Sequence, residues 1–281
     1  MGDAALVEAA GAVVAVLVAV VGSAALGVAV QAVEGQVEVG NAGLKKAMEQ
    51  SLQQLVDRLK DAAGESLHSV VLYGSAVSGE FHENFSDVNV LCLVKTLSAN
   101  VMLALSEPVN WWRKQKHPAP LLLTVEEVKQ SSDVFPIEFM DIQKHHRVLY
   151  GEDVFAAIEI PRTLHRVQVE HELRTKLILF RQQLLIDSVN RNSVLNLMLE
   201  SLSSFVTLFR HSLMIVGEEP AAGKRALLLQ IEQRVKVDAK AFLDVLSVRE
   251  GRLKGDALDV NTMLASYLKT VEQLISFVEQ L

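Results

Sequence analysis

The sequence predicts an α+β chain: a small mixed sheet with helices over residues 44–158, then an all-helical bundle over 159–281. Three observations carry this reading. Short apolar runs of strand length, bounded by Gly and Pro, fall between residues 70 and 142. After Pro161 the chain changes to long stretches of helical periodicity joined by short breaks, the pattern of an antiparallel bundle. The stretch up to Gly43 contains no Lys or Arg and stands apart in composition from both.

Taken in order, Leu44, Met48, Leu52, Leu55, Val56 and Leu59 recur at helical spacing and predict a helix that Gly64 ends. Val70–Tyr73 and residues 88–94 read as strands around a polar loop. Ser98 is placed to cap a helix reaching Lys116, interrupted near Pro108, and Pro118 and Pro120 then break the chain before a short strand, Leu121–Leu123. Thr124 with Glu127 three residues on fits a capping box and opens a short helix. Phe135–Ile142 reads as a further strand, and Gly151 closes the region. Helices are expected over 162–187, 191–216, 222–249 and 258–281, with breaks at Asn190, at 217–220 and at 251–255.

The formal net charge of −7 argues against a surface built for duplex nucleic acid, which needs a basic stripe. The single cysteine, Cys92, excludes an internal disulfide framework and reads as a core thiol in a reducing, cytoplasmic setting. Ala9–Val30 holds only Ala, Val, Gly, Leu and one Ser. As a helix those residues would span roughly 30 Å of hydrocarbon. A secretory signal is unlike this segment, because Asp3 and Glu8 stand where basic residues belong. Residues 1–43 are therefore expected to be a leader of one of two kinds. One is a membrane anchor through 9–30, with Lys45-Lys46 holding the downstream side in the cytoplasm. The other is an extension upstream of a natural start at Met48.

The chemistry concentrates in 70–94. Strand Val70–Tyr73 runs into Gly74-Ser75, and the next strand opens with Asp87-Val88-Asn89. Alternation sends Asp87 and Asn89 to one face and Val88 and Val90 to the other. A glycine turn lets backbone N–H groups approach phosphate oxygens, and hard oxygen ligands suit Mg²⁺ or Mn²⁺. Elsewhere, Trp111-Trp112-Arg113-Lys114 reads as a helix end with cations near its C-terminus. The adjacent His145 and His146 point apart on an extended chain, and Arg166 with His171 has the Arg-x4-His spacing of a nuclease motif, five residues apart and so off one helical line.

This arrangement resembles the polymerase-β-type nucleotidyltransferase superfamily, in particular its small prokaryotic members and the relatives of antibiotic nucleotidyltransferases. Their signature is an apolar strand, Gly-Ser, a loop, and Asp-x-Asp on the next strand, with a third carboxylate arriving later on a neighbouring strand. Gly74, Ser75 and Asp87 match it; Asn89 stands in place of the second acid, and Ser78 in place of a common Arg. The resemblance implies a nucleoside triphosphate held by Gly74 and Ser75, and catalysis at Asp87, Asn89 and Glu138. It implies metal at Asp87 and Glu138, and transfer of a nucleoside monophosphate to a hydroxyl on a small-molecule or protein acceptor. Glu138, between the core residues Ile137 and Phe139, is the expected third acid on its strand, with Asp141 at the strand end. The missing charge at Asn89 and the acidic loop of Glu80 and Glu83 favour the alternative, an inactive module of this fold that binds nucleotide or protein.

Overall fold

The computed structural model describes residues 40–78, 87–187 and 190–281. The segment 9–30 and the acidic loop of Glu80 and Glu83 lie outside the described residues. Among the described residues no helix is long and apolar enough to cross a membrane. The chain divides into two compact units, Met1–Ile160 and Pro161–Leu281.

The first unit is built on a four-stranded sheet in the order β3-β2-β1-β4. Its strands are β1 (Leu67–Tyr73), β2 (Asn89–Val94), β3 (Leu121–Thr124) and β4 (His146–Gly151). β1 pairs antiparallel with β2 and with β4, while β2 and β3 run parallel. A parallel pair requires a crossover, and a helix supplies it here. Helices α1 (Gly40–Ala63), α2 (Ser75–Ser78), α3 (Ala99–Lys114), α4 (Val125–Gln130) and α5 (Pro136–Lys144) complete the unit.

Both faces of the sheet are covered. On one face Leu52, Leu55, Val56 and Leu59 of α1, with Leu105 and Trp112 of α3, pack on Val70, Leu72, Val90, Cys92 and Val94. On the other, Phe135, Phe139, Ile142 and Phe155 pack on Val71, Leu91, Leu93, Leu121 and Leu123. Burial on two sides explains why β1 and β2 read as continuous apolar runs.

The caps follow the sequence. Ser98 Oγ accepts from Val101 N at 3.3 Å. Thr124 Oγ1 accepts from Glu127 N at 3.0 Å while Thr124 N donates to Glu127 Oε2 at 2.7 Å, a complete capping box. The helix expected to be interrupted at Pro108 continues through it, because Leu105, Pro108 and Trp112 form its buried stripe.

The segment 135–142 corrects the expectation: it is helix α5, and the sheet gains β4 instead. Pro136 sits in the first turn, where its missing N–H is harmless. Glu138, Asp141 and Lys144, spaced by three, with the exposed Gln143, form the polar side of a helix whose Pro136, Ile137, Phe139, Met140 and Ile142 are buried. β4 is half-exposed along most of its length and lies at the sheet edge, which left only a weak apolar signal.

The second unit contains α6 (His165–Asp187), α7 (Arg191–Ile215), α8 (Lys224–Val235), α9 (Lys240–Arg249) and α10 (Val260–Glu279). The single helix expected over 222–249 is two. Lys236 takes a left-handed φ of 60° and ends α8, and Asp238 Oδ1 accepts from Lys240 N at 2.9 Å to start α9. Asn190 and Asp259 cap α7 and α10 through their side chains. Phe242 stacks on Tyr267 at 3.9 Å between ring centroids, with Phe205 edge-on to both, and the Tyr267 hydroxyl is satisfied 2.9 Å from Ser201 Oγ. His165 and His211 form a buried pair at 2.8 Å.

Two outcomes follow from the packing of the first unit. Gly151 has φ +80°, and a Cβ there would lie 2.0 Å from the His68 carbonyl oxygen. Gly151→Ala is expected to destabilise the chain by about 3 kcal/mol or more, read as a fall in the urea midpoint, since backbone cannot yield as a flexible side chain would. The Cys92 thiol is pushed up to about 12 by burial. A thiol reagent at pH 8 is expected to leave native protein unlabelled and to react once denaturant opens the sheet; prompt labelling of native protein would contradict the packing.

Candidate functional site

The end of β1 and the beginning of β2 form a corner. Tyr73 is the last residue of β1, and Asn89, in register with it, opens β2. Gly74 then turns the chain with φ +78°, a conformation that favours glycine. Its N–H donates to the His145 carbonyl at 3.2 Å, and its own carbonyl accepts from Val77 N and Ser78 N at 3.0 and 3.1 Å. Ser75 is the first residue of the short helix α2.

A Cβ at position 74 would meet Asn89 Nδ2 at 3.3 Å, a tight contact, so the Asn89 amide lies directly over the turn. Asp87 precedes it by two residues and is half-buried. Desolvation holds the Asp87 carboxyl above its ordinary value, so the folded chain pays a penalty for the charge that a bound cation would offset.

The structure therefore brings Gly74 and Asn89 together, with Ser75 and Asp87 adjoining them in the chain. Glu138 arrives differently. It stands in the first turn of α5, and its charge, after burial, is the second cause that raises the Tyr73 hydroxyl above its usual value. It is an acid on a helix against the sheet face that carries Val71 and Tyr73. The neighbouring strand β3, Leu121-Leu122-Leu123-Thr124, carries no acid at all.

Sequence reasoning missed Tyr73 and His146, which face each other across β1 and β4 as Tyr73 and Asn89 do across β1 and β2. A row Asn89–Tyr73–His146 thus crosses three strands. Tyr73 was legible as the polar end of an apolar strand. His146 was not, because β4 itself was not predicted. Its Nε2 lies 3.0 Å from Asp153 Oδ1 and its Nδ1 3.2 Å from the Gln143 carbonyl, so the ring nitrogens engage the chain on either side of β4. Asp153 Oδ1 also accepts from Phe155 N and Ala156 N.

The other sequence candidates have structural partners. Trp112 is fully buried and stacks on His117 at 4.1 Å, and the Arg58 guanidinium lies 4.6 Å from the Trp111 ring. Arg166 is bonded to Glu170 at 3.0 Å and to the Val278 carbonyl.

Among the described residues the donor set does not fit a pair of divalent ions. Among the described residues no three His, Cys, Asp or Glu side chains converge where they could hold a metal. Asn89 offers no charge, β3 offers no acid, and Glu138 stands on a different element from Asp87.

No protein-family model matches the chain, and no curated protein matches it. Among solved structures it is similar to a spectinomycin adenyltransferase, AAD(9), from Enterococcus faecialis, whose crystal structure holds ATP and spectinomycin. The identity is 13% and the TM-score 0.50, and the match covers 80% of this chain and 98% of that one. It is also similar to a toxin–antitoxin crystallised with AMP-PNP, at 19% identity and a TM-score of 0.27, over 37% of this chain and 80% of that one. The first likeness spans nearly all of its counterpart, and with the four-stranded mixed sheet, the Gly74-Ser75 corner and the helices that follow it gives this chain the fold of the polymerase-β-type nucleotidyltransferases.

Proposed function

We propose that the chain binds a nucleoside triphosphate at the Gly74–Asn89 corner and transfers its nucleoside monophosphate to a hydroxyl on a small-molecule or protein acceptor. The observation that carries this reading is the close approach of Asn89 to a left-handed Gly74 at the sheet's polar end. The Ser75 hydroxyl and the backbone N–H groups that follow Gly74 are the donors proposed to meet the phosphate oxygens. The likeness to an adenyltransferase that holds ATP and a small-molecule substrate supports it.

The transfer itself is an in-line displacement. The acceptor oxygen bonds to the α-phosphorus, the bond to the β-phosphate oxygen breaks, and pyrophosphate leaves. Glu138 is the proposed carboxylate for the hydroxyl proton. Asp87 and Glu138 are the acids proposed to receive a single Mg²⁺ or Mn²⁺ entering with the triphosphate, whose chemistry would be charge neutralisation. The lone buried Cys92 suits a reducing compartment, which supports a cytoplasmic setting.

A second reading keeps the nucleotide and drops the transfer: an inactive module of this fold serving nucleotide or protein binding. The specific observation in its favour is β3, whose leucines leave the corner short of acids.

Labelled α-phosphate nucleotides with Mg²⁺ or Mn²⁺ and a cell extract separate the two. The first reading expects label on an acceptor, abolished by Asp87→Ala. Nucleotide retained without any transferred label establishes the second instead.

Asp87 also yields a stability test. Folding raises its carboxyl above the ordinary 3.8, so the folded state holds the proton more tightly than the unfolded one. Its destabilisation is absent at pH below both values, grows as pH rises through the folded value, and is complete at neutral pH. Asp87→Asn is expected to raise the thermal midpoint at pH 7 and to leave it unchanged near pH 3, while abolishing transfer of label. A lower midpoint at pH 7 would mean that Asp87 serves the fold and not a ligand.

A further inference from the structure

The polar group that overhangs the Gly74 turn is an amide nitrogen. Asn89 Nδ2 would lie 3.3 Å from a Cβ on Gly74, so it stands directly over the turn. A carboxylate there would present acceptors alone, and could meet a phosphate only across a cation. An amide presents two N–H donors and can meet phosphate oxygens directly. Asn89 is half-buried, and among the described residues its side chain has no hydrogen-bond partner. Half-buried amides normally find one, so this amide is open to a bound molecule. The surroundings agree: β3 has no acid to add a metal ligand, and Ser78 closes the short helix after Gly74 with a hydroxyl where a cation is common.

We propose that Asn89 donates directly to the phosphates of the bound nucleoside triphosphate, so that holding them does not depend on the divalent cation, whose part is confined to the transfer step. Asn89 then takes over the binding work of a metal instead of being a gap in a metal site. The amide supplies hydrogen bonds to phosphate but no charge to the leaving group, so tight binding and slow transfer go together. This inference rests on the nucleotide-binding reading above and specifies how that site recognises its ligand.

Calorimetric binding of ATP to the full chain, in Mg²⁺ buffer and in EDTA, tests it. Wild-type affinities in the two buffers are expected to agree within about threefold. Asn89→Asp, nearly the same shape, is expected to lose at least about tenfold in EDTA and to regain most of it when Mg²⁺ is added. Asn89→Ala is expected to lose affinity in both buffers without rescue by Mg²⁺, and it decides the matter should the Asp variant fail to fold by circular dichroism. Wild-type binding that disappears in EDTA overturns the inference alone, as does Asn89→Asp or Asn89→Ala binding as tightly as wild type in EDTA. Absence of ATP binding in either buffer overturns the nucleotide reading and this inference with it.

Discussion

Everything in the first unit hangs on β1 being buried along its centre, from Ser69 to Leu72. It is paired on both edges and packed on both faces, so each of its backbone groups must find a ladder partner and nearly every side chain must be apolar. Its one fully buried polar residue obeys the same constraint, since Ser69 Oγ donates to the Tyr150 carbonyl at 3.0 Å. Polar chemistry can begin only where the burial ends, at Tyr73 and Gly74. The position of the corner is thus a by-product of how far the core extends along the central strand.

That logic also explains what could be read from the sequence. Helix α1, strands β1 to β3, the capping box at Thr124 and the division into sheet and helices were legible because each rests on local pattern or on long apolar periodicity. The corner was legible because a glycine, a hydroxyl and two oxygen-bearing side chains stand at strand ends. Residues 135–142 were not, because Ile137 and Phe139 alternate with Glu138 as in a strand while Glu138, Asp141 and Lys144 recur as in a helix. Tertiary packing of Phe139 against Phe155, edge to face at 5.9 Å, follows the helical pattern. The split at Lys236 was hidden for a different reason. A lysine in a left-handed conformation leaves no mark like that of glycine.

The fold and the site diverge in one respect. The sheet and its order share the fold of an adenyltransferase, while the side chains at the corner are one half-buried acid, an amide and a tyrosine. Fold constrains where a ligand can sit, and side chains decide what happens to it. Asn89 keeps its place in the ladder opposite Tyr73 through its backbone, so the choice of side chain there is separate from the pairing of the strand. The architecture can therefore persist while its chemistry changes.

Glu138 illustrates a mechanical side to this separation. An acid carried on a strand is clamped by ladder bonds on either side, and its position is inherited from the sheet. Glu138 rides on a nine-residue helix whose far end is moored to the chain beyond β4, where Gln143 Nε2 donates at 3.0 Å to the carbonyls of Phe155 and Ile158. Its distance from the corner is set by two amide contacts and by the fit of Phe139 into its pocket. Substitutions in 153–160 would slide that acid while leaving Gly74 and Asn89 in place. The placement of Glu138 is thus adjusted from the chain beyond β4.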